Sequence, residues 1–188
     1  MLKDTIVGRP TRLNKKTLEV RKNNYAEVIL LGDIHYGSPQ CDVPKFLAML
    51  DYCVAKKIYI LLMGDLVEMA TRFSIGAGIY EQDFHGETQV EWVIEKLKPA
   101  AEMGLILGSH TGNHEERVYN ATGIDIGKAI ARELGVTYLG DACWSSFRVG
   151  PQTYSVYTLH GRTGARYDGT VLKAVENVSN SFYADLVA

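Results

Sequence analysis

Short apolar runs, separated by stretches of helical periodicity, constrain this chain more than any other feature. Residues 26–31 (AEVILL), 58–63 (IYILLM) and 105–107 (LIL) are such runs. They are nearly continuous rather than alternating, the pattern of strands in a sheet covered on both faces. Between the first two, Asp42 can cap a helix over 43–57 with Phe46, Leu47, Leu50, Val54 and Ala55 on one face. A second helix is predicted over 87–103, with Val90, Val93, Ile94, Leu97 and Ala101 as its buried stripe. Pro99 is expected to bend or end it. Residues 125–134 read as a helix stopped by Gly135, and 136–139 as a short strand. Residues 146–149 and 153–159 read as two strands joined through Gly150-Pro151. Their more alternating pattern points to a mixed sheet. Residues 69–86 are irregular, 168–178 suit a helix, and 184–188 suit a closing strand. Strands alternating with helices predict an α/β sandwich.

The chain has 188 residues, enough for one domain, 1–188, with a substantial core. A net charge of −2 makes no global demand for nucleic acid or membrane. The charge is nevertheless uneven. Residues 1–22 hold seven basic side chains against two acidic ones, a local +5 that leaves −7 for the remainder. Residues 1–24 therefore read as a basic N-terminal arm or edge strand, or as a contact for a polyanion. Cys41, Cys53 and Cys143 form no CxxC pair and fit free thiols in a cytoplasmic protein. No apolar run is long enough to span a bilayer.

Four of the apolar runs end alike, in glycine beside a residue able to bind metal. They give Gly32-Asp33-Ile34-His35, Gly64-Asp65, Gly108 followed by Gly112-Asn113-His114-Glu115, and His160-Gly161. In open α/β sheets the crevice beyond the strand ends is where ligands bind. Residues two apart on an extended chain project to one side, so Asp33 and His35 can share one metal. The Asp65 carboxylate has two oxygens and can bridge two metals, which in such pairs lie about 3.5–4 Å apart. Asn113 adds a neutral oxygen and His160 a nitrogen. A mixed oxygen and nitrogen set without thiolate suits Mn, Fe, Zn or Ni and excludes a structural cysteine–zinc site.

In order, DxH at 33–35, GDxxE at 64–68, GNHE at 112–115 and HG at 160–161 resemble the motif blocks of calcineurin-like metallophosphoesterases. The resemblance runs from about Glu27 to the end. It implies a four-layer αββα sandwich holding two divalent metals, Mn2+ foremost. Asp33, His35 and Asp65 would hold the first metal. Asp65, Asn113 and His160 would hold the second. His114 would contact the phosphate and protonate the leaving group, making His114 and Asp65 the catalytic pair. The reaction implied is hydrolysis of a phosphate mono- or diester by metal-activated hydroxide. A nucleotide or nucleic-acid phosphodiester is the preferred substrate class. The family's further GHxH block has no counterpart before Ala188, so an incomplete domain with weakened metal binding is expected.

Protein phosphatases share the first and third blocks, but their GDxVDRG block reads Gly64-Asp65-Leu66-Val67-Glu68-Met69-Ala70 here. A protein-phosphatase-like enzyme and a non-catalytic scaffold are thus the alternatives. Intact ligand positions favour the enzyme. Of Arg72, Arg117, Arg162 and Arg166, Arg117 is the best phosphate contact because it closely follows the GNHE turn; Asn113 and His114 would join it. Glu68 is expected to orient a ligand or cap a helix. His110 is expected to brace rather than bind, His85 to lie on the surface, and Trp92 and Trp144 to lie in the core.

Overall fold

A computed structural model describes residues 12–18, 25–72, 74, 80–161, 176 and 183–188. It shows a mixed α/β protein with two four-stranded sheets and, among the described residues, four helices. One sheet is wholly parallel, in the order β2 (Val28–Leu31), β3 (Tyr59–Leu62), β4 (Ile106–His110), β5 (Tyr138–Gly140). The other is mixed, in the order β1 (Arg12–Leu18), β6 (Ala142–Val149), β7 (Gln152–Leu159), β8 (Leu186–Val187). There β6 and β7 form an antiparallel hairpin, while β1 and β8 each pair in parallel at an edge. The basic stretch around Lys15 and Lys16 is thus an edge strand. The predicted helix over 168–178 lies outside the described residues, except that Glu176 is helical.

Two cores follow from the continuous apolar runs. Leu61, Leu107 and Leu139, on one face of the parallel sheet, pack against Cys143, Phe147 and Val156 of the mixed sheet. Ile60, Leu62 and Ile106, on the other face, meet the helices through Phe46, Leu50, Val93, Leu97 and Ile130. A strand buried on both sides has no polar face to show, which explains the absence of alternation.

Helix α1 (Val43–Lys56) begins where expected, the Asp42 side chain accepting from the Lys45 N–H at 3.0 Å. Helix α2 (Gly86–Glu102) does not end at Pro99 but closes within a turn of it, near the expected 103. Pro99 sits in the last turn, so few residues follow the bond that it removes. Gln89 joins the buried stripe of α2, with its side chain bonded to Met69, Gln82 and Phe84. Helix α4 (Ile126–Glu133) is capped by Asp125 and followed by Gly135 in the left-handed region. The sequence reading differs from the structure in two places that shape the crevice. Strand β4 extends to His110, and a helix α3 (Asn113–Thr122) starts immediately after Gly112. None of the three cysteines is in a disulfide, and Cys53 and Cys143 are buried and Cys41 half-buried. Among the described residues no helix is long and apolar enough to cross a membrane.

Candidate metal centre

The loops after β2, β3 and β4 leave one edge of the parallel sheet, because all of its strands point the same way. The loop after β7 joins them through the His160 ring, whose Nδ1 donates to Met63 O just beyond β3. Two glycines allow the loops to meet. A Cβ on Gly64 would lie 2.5 Å from Gly112 N, and one on Gly112 would lie 2.0 Å from an Asp65 carboxylate oxygen. Gly64 also has φ +94, a region open to glycine and costly for other residues.

Asp33, His35 and Asp65 are themselves left-handed, with φ of 52, 49 and 49. This corrects the reason given for the pairing of Asp33 with His35. They converge by a coiled turn, not by alternation along an extended strand. The turn is held by Asp33 N–H to Gly64 O, His35 N–H to Asp65 O and Tyr36 N–H to Leu66 O, at 3.0–3.1 Å. Non-glycine residues in this region cost about 1–3 kcal/mol each and cluster where function demands a particular geometry.

All five expected metal ligands lie around Asp65. His35 Nε2 is 3.7 Å from Asp33 Oδ1 and 3.7 Å from Asp65 Oδ2. His160 Nε2 is 3.4 Å from Asp65 Oδ2 and 3.0 Å from Asn113 Oδ1. Metal bonds of about 2.1 Å set neighbouring ligand atoms roughly 3–3.5 Å apart, close to these spacings. The 3.7 Å separations are too long for hydrogen bonds. Among the described residues no lysine or arginine pairs with Asp33, Asp65 or Glu68. The His35 Nδ1 atom is buried without a hydrogen bond. Carboxylates gathered with imidazoles, and with no lysine or arginine among them, fit a divalent cation.

The histidines are oriented through their outer nitrogens. His160 Nδ1 donates to Met63 O at 2.8 Å, which leaves Nε2 facing Asp65 and Asn113. The hydrogen bond to Asp65 lifts the His160 pKa to about 9 against the effect of burial. Without metal, then, a proton sits on the atom that a metal would take. Burial pushes the Asp65 carboxyl up, but the His160 bond, the His114 N–H and both imidazole charges outweigh it and hold Asp65 below its ordinary value.

His114 lies beside this group, its ring centroid 4.4 Å from that of His35. Its Nδ1 donates to Glu68 O at 2.6 Å, and its Nε2 accepts from Arg117 at 3.3 Å. Arg117 is held on its other side by Ser74 Oγ at 3.0 Å. Glu68 caps no helix; its carboxylate stands 3.3 Å from His35 Nδ1 and 3.6 Å from His114 Nδ1. With those two histidines it forms a second group able to hold a metal, overlapping Asp33, His35 and Asp65.

Glu115, the last residue of the GNHE block, has a structural role that the motif does not announce. It is 2% exposed, and its oxygens accept N–H bonds from Asp65, Leu66 and Gly112 at 2.8–3.0 Å and from Val67 at 3.4 Å. Burial and the neighbouring Asp65 push its carboxyl up, opposed by these donors. Glu115 thereby ties the start of α3 to the loop that carries Asp65. The available signal was a glutamate three residues into a glycine-capped helix start, and it required recognising α3. His110 is a brace, as expected. Its Nδ1 donates to Gly140 O at 2.9 Å and its Nε2 accepts from Thr158 Oγ1 at 2.7 Å, joining the two sheets. Compared with protein-family models the chain matches none, and no curated protein matches it.

Proposed function

We propose that the chain is a metal-dependent phosphoesterase on a calcineurin-like αββα sandwich, acting on phosphodiesters of the nucleotide or nucleic-acid class. The observation that carries this reading is the position of Asp65 Oδ2, between His35 Nε2 at 3.7 Å and His160 Nε2 at 3.4 Å. One carboxylate flanked by two imidazoles, with Asp33 and Asn113 beyond them, suits two cations sharing a bridge. Asp33, His35 and Asp65 would hold one metal; Asp65, Asn113 and His160 would hold the other. Bound there, divalent ions such as Mn2+ supply charge for phosphoryl oxygens and lower the pKa of water.

The remaining steps fall to side chains. Arg117, which reaches His114 Nε2 at 3.3 Å, would bind a phosphoryl oxygen. Without ester it donates to His114 Nε2, so a proton on that nitrogen would oppose it. An arriving phosphate would draw Arg117 away and let His114 Nε2 take a proton from solvent and pass it to the leaving oxygen. Glu68 stabilises that proton from the far side of the ring, 3.6 Å from Nδ1.

The test is hydrolysis of bis-p-nitrophenyl phosphate, p-nitrophenyl phosphate and single-stranded DNA by protein loaded with Mn2+. Hydrolysis that a chelator abolishes, and that is lost in Asp65→Asn, is expected. Turnover that survives either treatment contradicts the reading.

A further inference from the structure

We propose that a cleft beside the metal centre, at the start of α1, binds one organic arm of a phosphodiester, of aryl or nucleoside size. This rests on the phosphoesterase reading above and adds the substrate's shape. The cleft measures about 590 Å3 and is continuous with the centre, because Asp33 and His35 form part of its wall. Ile34, Phe46 and Met49 supply its apolar surface, and Lys45 adds a cation. A cleft of this size that sets an apolar wall against polar groups, here Ser38, Gln40, Asp42 and Lys45, is what a small organic ligand requires.

The number of arms comes from a second cleft. It measures about 520 Å3 and includes Glu68, Ser74 and Arg117. Ser38 and Gln40 line both clefts, so the two adjoin, one walled by Asp33 and His35 and the other by Glu68, which stands 3.3 Å from His35 Nδ1. Ser38 is tied to the centre, since its N–H donates to His35 O at 2.9 Å. A monoester's one organic group is its leaving group, so it lies beside Arg117 and the neighbouring His114 and needs the second cleft alone. A diester has two, which diverge from the tetrahedral phosphorus toward different walls. The α1 cleft is the more apolar of the two; the other holds Glu68 and Arg117, already assigned to the chemistry. The α1 cleft therefore takes the arm that needs an apolar wall.

Cys41 also lines the α1 cleft, and it is the half-buried thiol of the three. Its alkylation reports on occupancy without turnover. With Mn2+-loaded protein, bis-p-nitrophenyl phosphate is expected to slow Cys41 alkylation, followed by peptide mass, while inorganic phosphate leaves it unchanged. Protection by neither, or equally by both, overturns the proposal. Met49 is 37% exposed, so Met49→Trp can narrow the cleft without entering the core. That variant is expected to raise KM for the diester about tenfold, as pocket misfits do. It should leave KM for p-nitrophenyl phosphate and Mn2+ affinity unchanged. Equal KM values in variant and wild type, with the diester still hydrolysed, overturn the cleft alone. Absence of any metal-dependent hydrolysis by the wild type overturns both readings.

Discussion

At the scale of residues, the centre depends on side chains that touch no ligand. Glu115 accepts four backbone N–H groups through two oxygens, which a carboxylate can do and an amide cannot. Glu115→Gln turns an NH2 toward backbone donors and leaves buried N–H groups unpaired. It should cost about 3 kcal/mol in urea unfolding, at the upper end for a lost buried partner, and weaken Mn2+ binding with no ligand altered. Unchanged stability would show that the four bonds are dispensable. The ligand types were legible in the sequence because Asp33, Asp65, Asn113 and His160 each follow an apolar run. Their conformations were not. The left-handed φ of Asp33, His35 and Asp65 arises from bonds to a neighbouring loop, and no local pattern announces such bonds. Glu115 is hidden for the same reason, since Asp65, Leu66 and Val67, three of its four partners, lie 48–50 positions away.

Among elements, those with strong local signals were readable. Asp42 with an apolar stripe announced α1, and Asp125 with Gly135 bounded α4. Helix α3 was missed because Asn113-His114-Glu115-Glu116 is polar and buries only Glu115 and Val118. It was read as a turn, yet it presents Asn113, His114 and Arg117 from one end of a rigid element. Lys57 ends α1 at φ 53, where glycine would be unstrained. It is exposed, so Lys57→Gly should stabilise the protein by roughly 0.5–1 kcal/mol. A lower melting temperature in that variant would mean that Lys57 makes a compensating contact.

The bond between sheets at His110 gives a pH dependence. Burial drives the His110 pKa down to about 4 from its ordinary 6.5, only partly offset by the bond to Gly140. The folded state keeps the ring neutral while the unfolded chain takes up a proton below pH 6.5. The stability is therefore fully present above 6.5, is lost as pH falls, and is gone below about 4. Between pH 7.5 and pH 5 the loss should be about 2 kcal/mol. His110→Gln, compared with wild type by urea unfolding at both pH values, should flatten the slope by that amount. Parallel slopes would show that His110 is not neutral in the fold.

For the whole molecule, the two sheets act as a frame that brings four loops to one place. The parallel sheet delivers Asp33, His35, Asp65 and Asn113 from strand ends that face the same way, and the mixed sheet delivers His160. The apolar cores fix the distance between the sheets and so the reach of His160 to Asp65. That much was readable from strand order, because parallel strands with ligands beyond their ends leave few arrangements open. The contact between Gly64 and Gly112 was not, since it depends on the depth to which two loops interlock. The central claim is that Asp65 bridges two metals. Electron paramagnetic resonance of the protein at saturating Mn2+ tests it directly. An exchange-coupled pair is expected in the wild type, and its loss in Asp65→Asn. Uncoupled Mn2+ in the wild type, or a coupled pair that survives Asp65→Asn, would contradict the account.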